Sequence, residues 1–135
     1  MNEPILRIEY GDENSLEQLR SLWLCLHHHH QHIAPRLGPF VADDTSCQTR
    51  RRFYADCLGR EGSFVLLAYS EDDIVSYAVV RIEEASSMWR DPWVVGDRTA
   101  ELETIVVAPD WRRKGVGTLL MDRVELELQP TALES

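Results

Sequence analysis

The stretch that decides the fold is Glu101–Leu128, ELETIVVAPDWRRKGVGTLLMDRVELEL. Its first part, Leu102–Val107, is apolar and β-branched, which is typical of a strand buried on both faces, and Pro109 cannot extend that strand. From Val116 onward, apolar residues recur at helical spacing as far as Gln129-Pro130, where the helix should end. The predicted buried helix face consists of Val116, Leu119, Leu120, Val124 and Leu128. The stretch therefore predicts a strand, a turn and an amphipathic helix.

The turn between these two elements, Arg112–Gly117, has the chemistry of an anion site. The first N–H groups of a helix have no backbone partner and lie at the positive end of its dipole, so a phosphate can accept them. Gly115 and Gly117 allow a ligand to approach the backbone closely, and three adjacent cations add positive charge. The spacing matches neither the Walker phosphate loop nor the three-glycine dinucleotide motif. An ordinary strand-to-helix crossover with a solvated basic turn is the alternative.

The pattern Arg112-x-x-Gly115-x-Gly117, preceded by an apolar strand and Val107-x-Pro109, resembles the acetyl-CoA motif of the GNAT superfamily of N-acetyltransferases. In that family the amides of the turn hold the pyrophosphate of coenzyme A, and the backbone of the preceding strand pairs with the pantetheine arm. The resemblance implies that acetyl-CoA is the cosubstrate. By position it assigns the phosphates to Arg112, Arg113, Lys114, Gly115, Val116 and Gly117, and the arm to Ile105, Val106 and Val107.

Acetylation of an amine needs a base, and the predicted strand carries two carboxylates. Glu101 and Glu103 share one strand face by the two-residue period, and GNAT-like enzymes often place a carboxylate on this strand. We predict Glu103 as the base and Glu101 as the second candidate; a purely structural carboxylate is the alternative for each. A backbone N–H within Ile105–Val107 would stabilise the oxyanion. No cysteine shows a nucleophile–base pattern, which favours direct attack by the amine.

The rest of the chain predicts a β-α-α-β-β-β-α order. Capping-box spacing starts helices at Ser15 and Thr45, and the polar connection Ser70–Asp73 indicates an antiparallel hairpin. The long segment Glu83–Thr99 is interpreted as a flap or a contact surface. The predicted strands are Pro4–Tyr10, Ser63–Tyr69 and Ile74–Ile82, and the predicted helices run from Ser15 to about His29 and from Thr45 to Gly59. The expected fold is a single α/β (α+β) domain, 1–135, with a GNAT-like mixed sheet flanked by helices.

Only Thr131–Ser135 follow the last helix, whereas GNAT proteins normally continue with further strands and a helix. We therefore expect a C-terminally short member in which one edge of the acetyl-CoA strand is unpaired, and a homodimer or a partner chain that completes the sheet. The tyrosine acid of many family members belongs to that further segment. Tyr54, Tyr69 and Tyr77 lie on other elements and cannot be assigned its role by motif.

Composition limits the classes of partner. The chain has 135 residues and a formal net charge of −9, which argues against binding to nucleic acids or anionic membranes. Six of its fourteen Lys and Arg residues lie in Arg50–Arg52 and Arg112–Lys114, which suits a small anionic ligand. No signal peptide or membrane span is evident, and the three scattered cysteines favour a reducing cytoplasm.

The run from His27 to His32 allows three interpretations. A metal site is possible because several of the histidines are three or four residues apart, but a polar, exposed helix end is favoured, and we predict no metal. Lining of an acceptor pocket is the third interpretation. Candidate substrate-facing residues in the following loop are Arg36, Phe40, Asp43 and Asp44, and Arg50–Arg52 is either a solvated face or a phosphate contact.

The leading functional hypothesis is an acyltransferase that moves an acetyl group from acetyl-CoA to a primary amine of a small molecule or protein. The alternative is a non-catalytic acyl-CoA-binding or regulatory module with the same fold. A histidine-based metal-binding protein is a third and weaker hypothesis. The acidity of the chain would suit a cationic acceptor.

Overall fold

The computed structural model describes residues 6–34, 36, 41–84, 93–95 and 98–129. Five strands and three α-helices make up most of these residues. The strands are β1 (Arg7–Tyr10), β2 (Phe64–Ser70), β3 (Asp73–Glu84), β4 (Trp93–Val95) and β5 (Arg98–Val107), and the helices are α1 (Arg20–Ile33), α2 (Asp43–Leu58) and α3 (Val116–Leu128). Short 3-10 helices occupy Glu13–Leu19 and Pro109–Trp111.

The strands form one sheet in the order β1-β2-β3-β5-β4. All four pairings are antiparallel, so the parallel component of the expected mixed sheet does not occur among the described strands. β2 and β3 form the predicted hairpin, but its turn is the two residues Glu71 and Asp72 rather than four, because both Ser70 and Asp73 belong to the ladder. Glu71 adopts a φ of 56° in this turn.

Helices cover both faces of the sheet, since side chains alternate between the two faces along each strand. On one face, apolar residues of the first 3-10 helix, α1 and α2 pack on Tyr77, Val79 and Val106. On the other face, Leu120 and Val124 of α3 pack on β2, β3 and β5. The central strand β3 is therefore buried on both faces, and residues of β5 belong to both core clusters.

The helix starts differ from the sequence predictions. The first capping box is formed by Asp12 and Ser15, with Asp12 as the N-cap, and it opens a 3-10 helix that continues into α1 at Arg20. Ser15 is thus the third helical residue and not the cap. Helix α2 begins at Asp43 without any side-chain cap, so the predicted start at Thr45 is also wrong.

Two further predictions need correction. Leu119 was expected on the buried face of α3, but it is 44% exposed, because the helix turns Val116, Leu120 and Val124 toward the sheet instead. The segment Glu83–Thr99 is not only a connection: β3 continues to Glu84, and the short β4 pairs with the start of β5. Residues 85–92 and 96–97 lie outside the described residues, as do Pro4, Phe40 and Thr131–Ser135.

Among the described residues, no helix has the length and apolar content needed to span a membrane. The longest helix, α2, is strongly polar and has six charged residues in its sixteen.

Candidate active site

The backbone between β5 and α3 turns sharply at a glycine. Gly115 is the N-cap of α3 and has a left-handed φ of 81°, a conformation that glycine adopts without steric cost. Arg113, two residues earlier, also has a positive φ of 64°. The basic turn therefore leads directly into the first turn of α3, as the sequence pattern predicts.

The N–H groups of this turn are open. In the described part of the chain, the amides of residues 113 to 118 donate no hydrogen bond of ordinary length and angle, and the first bonded amide of α3 is that of Leu119, 3.0 Å from the Gly115 carbonyl oxygen. A Cβ atom at Gly115 would have nothing within 4 Å, and one at Gly117 would meet only Val107, at 3.7 Å. The turn is thus an exposed concentration of N–H donors at the positive end of a helix dipole.

The three cations of the turn are exposed and add positive charge around those amides. Arg112 donates from Nε to the carbonyl oxygen of Val107 at 3.3 Å, which ties the turn to the end of β5. The ammonium of Lys114 lies 5.2 Å from the ring centroid of Trp111. Val116, by contrast, is 3% exposed, so only its backbone is available to a ligand.

The strand before the turn has an unpaired edge. β4 pairs only with Arg98–Ala100, so within the described strands the edge of Glu101–Val107 opposite β3 has no partner. The predicted contact residues Ile105, Val106 and Val107 lie on this edge, and their side chains are buried or half-buried against the helical layers. Backbone groups, rather than side chains, are what this edge offers to a ligand.

A β-bulge interrupts β5 beside the predicted base. The pairing passes from Val79 with Thr104 to Val80 with Leu102, which leaves Glu103 without a partner on β3. A bulge redirects side chains locally. Glu103 consequently lies on the same face as its neighbour Thr104, toward α1 and α2.

Arg81 of β3 contacts both predicted bases. Its guanidinium lies 2.7 Å from Glu103 and 2.5 Å from Glu101, and also 2.8 Å from Glu83, which pairs in turn with Arg60. The Arg81–Glu103 contact lacks hydrogen-bond geometry although both atoms are buried. The side chain of Glu103 is 14% exposed and that of Glu101 is 41% exposed. The structure therefore brings the two carboxylates together, as the sequence predicts, but around a shared arginine.

Two buried tyrosines lie close to the bulge. The hydroxyl groups of Tyr54 and Tyr77 are 2.9 Å apart, and Thr104 lies near that of Tyr54. Burial raises the pKa of both phenols, so both are protonated at neutral pH. Tyr54 is 2% exposed and Tyr77 is fully buried.

Cys57 is buried, and His27 and His28 contact other groups of the protein. Burial raises the pKa of Cys57 to about 11, with Glu103 adding to the effect, so this thiol is protonated at neutral pH. His27 contacts the carbonyl oxygen of Val41 at 2.9 Å, and His28 lies 2.9 Å from Asp43. No group of three or more His, Cys, Asp or Glu in the described residues could hold a metal ion.

The candidate substrate-facing residues are divided between exposed and paired positions. Arg36 is exposed, Asp43 contacts His28, and Asp44 lies 2.5 Å from Arg20. Arg51 pairs with Glu17 at 3.0 Å, and Arg50 lies over the ring of Trp23, so Arg50–Arg52 is not a uniformly solvated face.

Sequence reasoning missed Arg81 and the tyrosine pair. The sequence contains a signal for Arg81, because it is a charged residue within the apolar run of β3. The long strand that follows this hairpin carries Glu101 and Glu103, which are suitable partners for an arginine. The alternation of β3 also places Tyr77 and Arg81 on one face. The bulge at Glu103 leaves no such signal.

The sequence model of the acetyltransferase (GNAT) family matches residues 16–131. The chain therefore belongs to the GNAT family, and the resemblance of its turn and strand to that family is confirmed. Members of this family use acetyl-CoA for acyl transfer. No curated protein matches this chain significantly.

Solved structures show the same fold. An acetyltransferase from Vibrio fischeri is 24% identical with a TM-score of 0.63, over 90% of this chain and 85% of that one. A ribosomal-protein-alanine N-acetyltransferase from Brucella melitensis biovar Abortus 2308 is 16% identical with a TM-score of 0.57, and the match covers 91% of this chain and 71% of that one. An aminoglycoside N-acetyltransferase in complex with CoA is 18% identical with a TM-score of 0.58, and the match covers 93% of this chain and 70% of that one.

Proposed function

We propose that this protein transfers the acetyl group of acetyl-CoA to a primary amine of a small molecule or protein by direct attack. The observation that carries the proposal is the set of unbonded amides at residues 113 to 118, exposed beside the open edge of β5. A pyrophosphate satisfies such donors, and the flanking cations Arg112, Arg113 and Lys114 balance its charge. The pantetheine arm then pairs with the backbone of Ile105–Val107.

Glu103 is the preferred base in this proposal. It is held at a bulge by Arg81 and is mostly buried, so its position is better fixed than that of the more exposed Glu101. A positioned base removes a proton from the attacking ammonium and contributes roughly 10²–10⁴-fold to the rate. A backbone N–H of the open edge stabilises the negative oxygen of the tetrahedral intermediate.

One observation favours the alternative, a non-catalytic acyl-CoA-binding module. Both candidate bases share the positive charge of Arg81, and a carboxylate engaged by a guanidinium has fewer lone pairs free to accept a proton. A module of this kind would bind acetyl-CoA as tightly as an enzyme but would release no thiol.

Turnover separates the two functions. The unaltered protein should release free CoA thiol from acetyl-CoA in the presence of at least one amine in a panel of polyamines, aminoglycosides, amino acids and peptides. Glu103→Gln should lower kcat by at least tenfold, and Glu101→Gln by less. Glu9→Gln is the matched control, because Glu9 is a strand glutamate paired with Arg7 on the edge strand β1. Binding of acetyl-CoA without thiol release across the panel would support the module.

The open edge also supports a proposal about assembly. Unpaired strand edges favour pairing with another chain. A homodimer, or a partner that completes the sheet at Glu101–Thr104, would cover the part of this edge that the pantetheine arm leaves free. Light scattering after size exclusion should give twice the chain mass of 15.6 kDa. A monomer at micromolar concentration that binds no partner would contradict this proposal.

We also propose a cytoplasmic location. Cys25, Cys47 and Cys57 are all free thiols, which suits a reducing compartment.

A further inference from the structure

A cavity of about 560 Å³ lies between α2 and the segment formed by the first 3-10 helix and the start of α1. Its lining includes no residue of β5 or of the basic turn, so it is separate from the proposed acyl site. Side chains of Leu16, Leu19, Trp23 and Tyr54 supply an apolar and aromatic wall. The volume lies in the range of small-molecule sites.

The charge of this cavity is opposite to that of the protein. Four arginines and two glutamates line it, which leaves two net positive charges in a chain of net charge −9. Two of the arginines are already paired, Arg20 with Asp44 at 2.5 Å and Arg51 with Glu17 at 3.0 Å. These pairs join the two sides of the cavity.

Arg50 is different, because aromatic rings hold it. Its guanidinium carbon lies 4.2 Å from the ring centroid of Trp23, 5.4 Å from that of Phe53 and 5.8 Å from that of Tyr54. The Trp23 indole is itself fixed, since it donates to Ser46 at 2.8 Å in the interior. Arg50 makes no hydrogen bond or ion pair with any residue that the structure describes, although it is partly buried.

A guanidinium held over an aromatic face keeps its N–H donors in the plane of the group, where a carboxylate can accept two of them in parallel. Its position is already restricted, so binding costs little additional side-chain entropy. The adjacent apolar wall would bury an attached hydrocarbon body. These features call for a ligand that is an anion at one end and apolar at the other.

We propose that this cavity binds a small molecule that carries a carboxylate on an aromatic or aliphatic body, with Arg50 as the residue that recognises the carboxylate. The proposal does not depend on the acetyltransferase function. It accounts for a partly buried arginine without a carboxylate partner in a cavity where Arg20 and Arg51 have such partners and Arg52 is exposed.

Phenylacetate is a suitable probe, and phenylacetamide, which has the same shape without the charge, is its control. In ¹H–¹⁵N NMR spectra of the whole chain, phenylacetate should shift the Trp23 indole resonance, assigned by its loss in Trp23→Phe, in a saturable manner. Phenylacetamide should bind at least tenfold more weakly. Equal binding of the two probes, or no shift of the Trp23 signal, would overturn the proposal. Inorganic phosphate producing the same shifts at the same concentration would also overturn it, because an apolar body would then be unnecessary.

Two matched variants locate the site. Arg50→Gln should weaken phenylacetate binding at least tenfold, whereas Arg113→Gln, the same change in the basic turn, should leave it unchanged within twofold. If the acyl site is as proposed, Arg113→Gln should weaken acetyl-CoA binding more than Arg50→Gln does. Ala55→Leu, which adds bulk to the wall of the cavity and keeps all charges, should also weaken phenylacetate binding. Retention of full affinity by Arg50→Gln would refute the assignment of the carboxylate site.

Discussion

Replacing Arg81 with methionine should destabilise the fold through the carboxylates that it contacts. Arg81 is 22% exposed and Glu103 is 14% exposed, and they lie 2.7 Å apart. Removing one partner of a fully buried ion pair costs about 3–5 kcal/mol, and removing one of an exposed pair costs less than about 1 kcal/mol. The partial burial of this cluster places Arg81→Met between those limits, at about 2 kcal/mol.

Urea unfolding measures this effect. At a denaturant slope of about 1–3 kcal/mol per molar, a loss of about 2 kcal/mol lowers the midpoint by roughly 1 M without changing the slope. Arg7→Met is the matched control, because Arg7 also pairs with a glutamate at 2.8 Å on a strand but is 52% exposed. It should cost less than about 1 kcal/mol.

A second substitution tests the cause. If the cost comes from leaving the Glu103 carboxylate buried without a counter-charge, Glu103→Leu should recover most of the stability in the Arg81→Met background. Glu101 and Glu83 are more exposed and can be solvated, so they should contribute less. Strictly additive effects, or a loss in Arg81→Met no larger than in Arg7→Met, would refute this reasoning.

Three other outcomes are expected. Gly115→Ala should cost about 1 kcal/mol in urea unfolding because φ is 81° there, whereas Gly117→Ala, whose Cβ would meet Val107 at an ordinary 3.7 Å, should be near neutral. Tyr77→Phe should cost about 1 kcal/mol because it removes a partner of the buried Tyr54 hydroxyl. In a double-mutant cycle, Tyr54→Phe should cost less in the Tyr77→Phe background than in the unaltered protein. Burial raises the pKa of Cys57, so between about pH 9 and pH 11 the unfolded chain binds fewer protons at this thiol than the folded chain does. The free energy of unfolding should therefore fall as pH rises from about 9 to about 11, and Cys57→Ala should make this fall smaller.

Much of the fold follows from local sequence signals. The apolar run before Pro109, the glycines of the basic turn and the helical spacing after Val116 are consecutive, so no long-range information is needed to predict the β5–α3 unit. The β2–β3 hairpin is predicted for the same reason. Strand β4 was missed because three residues are too short to show an alternation pattern.

The errors arise where a local pattern has two solutions. Asp12 and Ser15 both have side chains that cap helices, and the choice between them depends on how the chain leaves β1. The spacing of Leu119 fits an apolar face, but the docking angle of α3 decides which residues face the sheet.

The electrostatics of the site required the strand register. Sequence alternation correctly placed Glu101 and Glu103 on one face, but it could not show that Arg81 lies opposite them. The bulge at Glu103 shifts the pairing by one residue, and no local pattern predicts it. For the same reason the contact of Tyr54 with Tyr77, which joins α2 to β3, is visible only in three dimensions.

The most direct test of the central claim is calorimetric titration with acetyl-CoA. The unaltered protein should bind, and Gly117→Glu, which places bulk and negative charge at the proposed pyrophosphate position, should weaken binding at least tenfold. Leu126→Glu is the control, because Leu126 is exposed on the same helix about 13 Å farther along its axis, and it should bind normally. Absence of binding by the unaltered protein, or equal affinity of Gly117→Glu, would contradict the account of the basic turn as a pyrophosphate site.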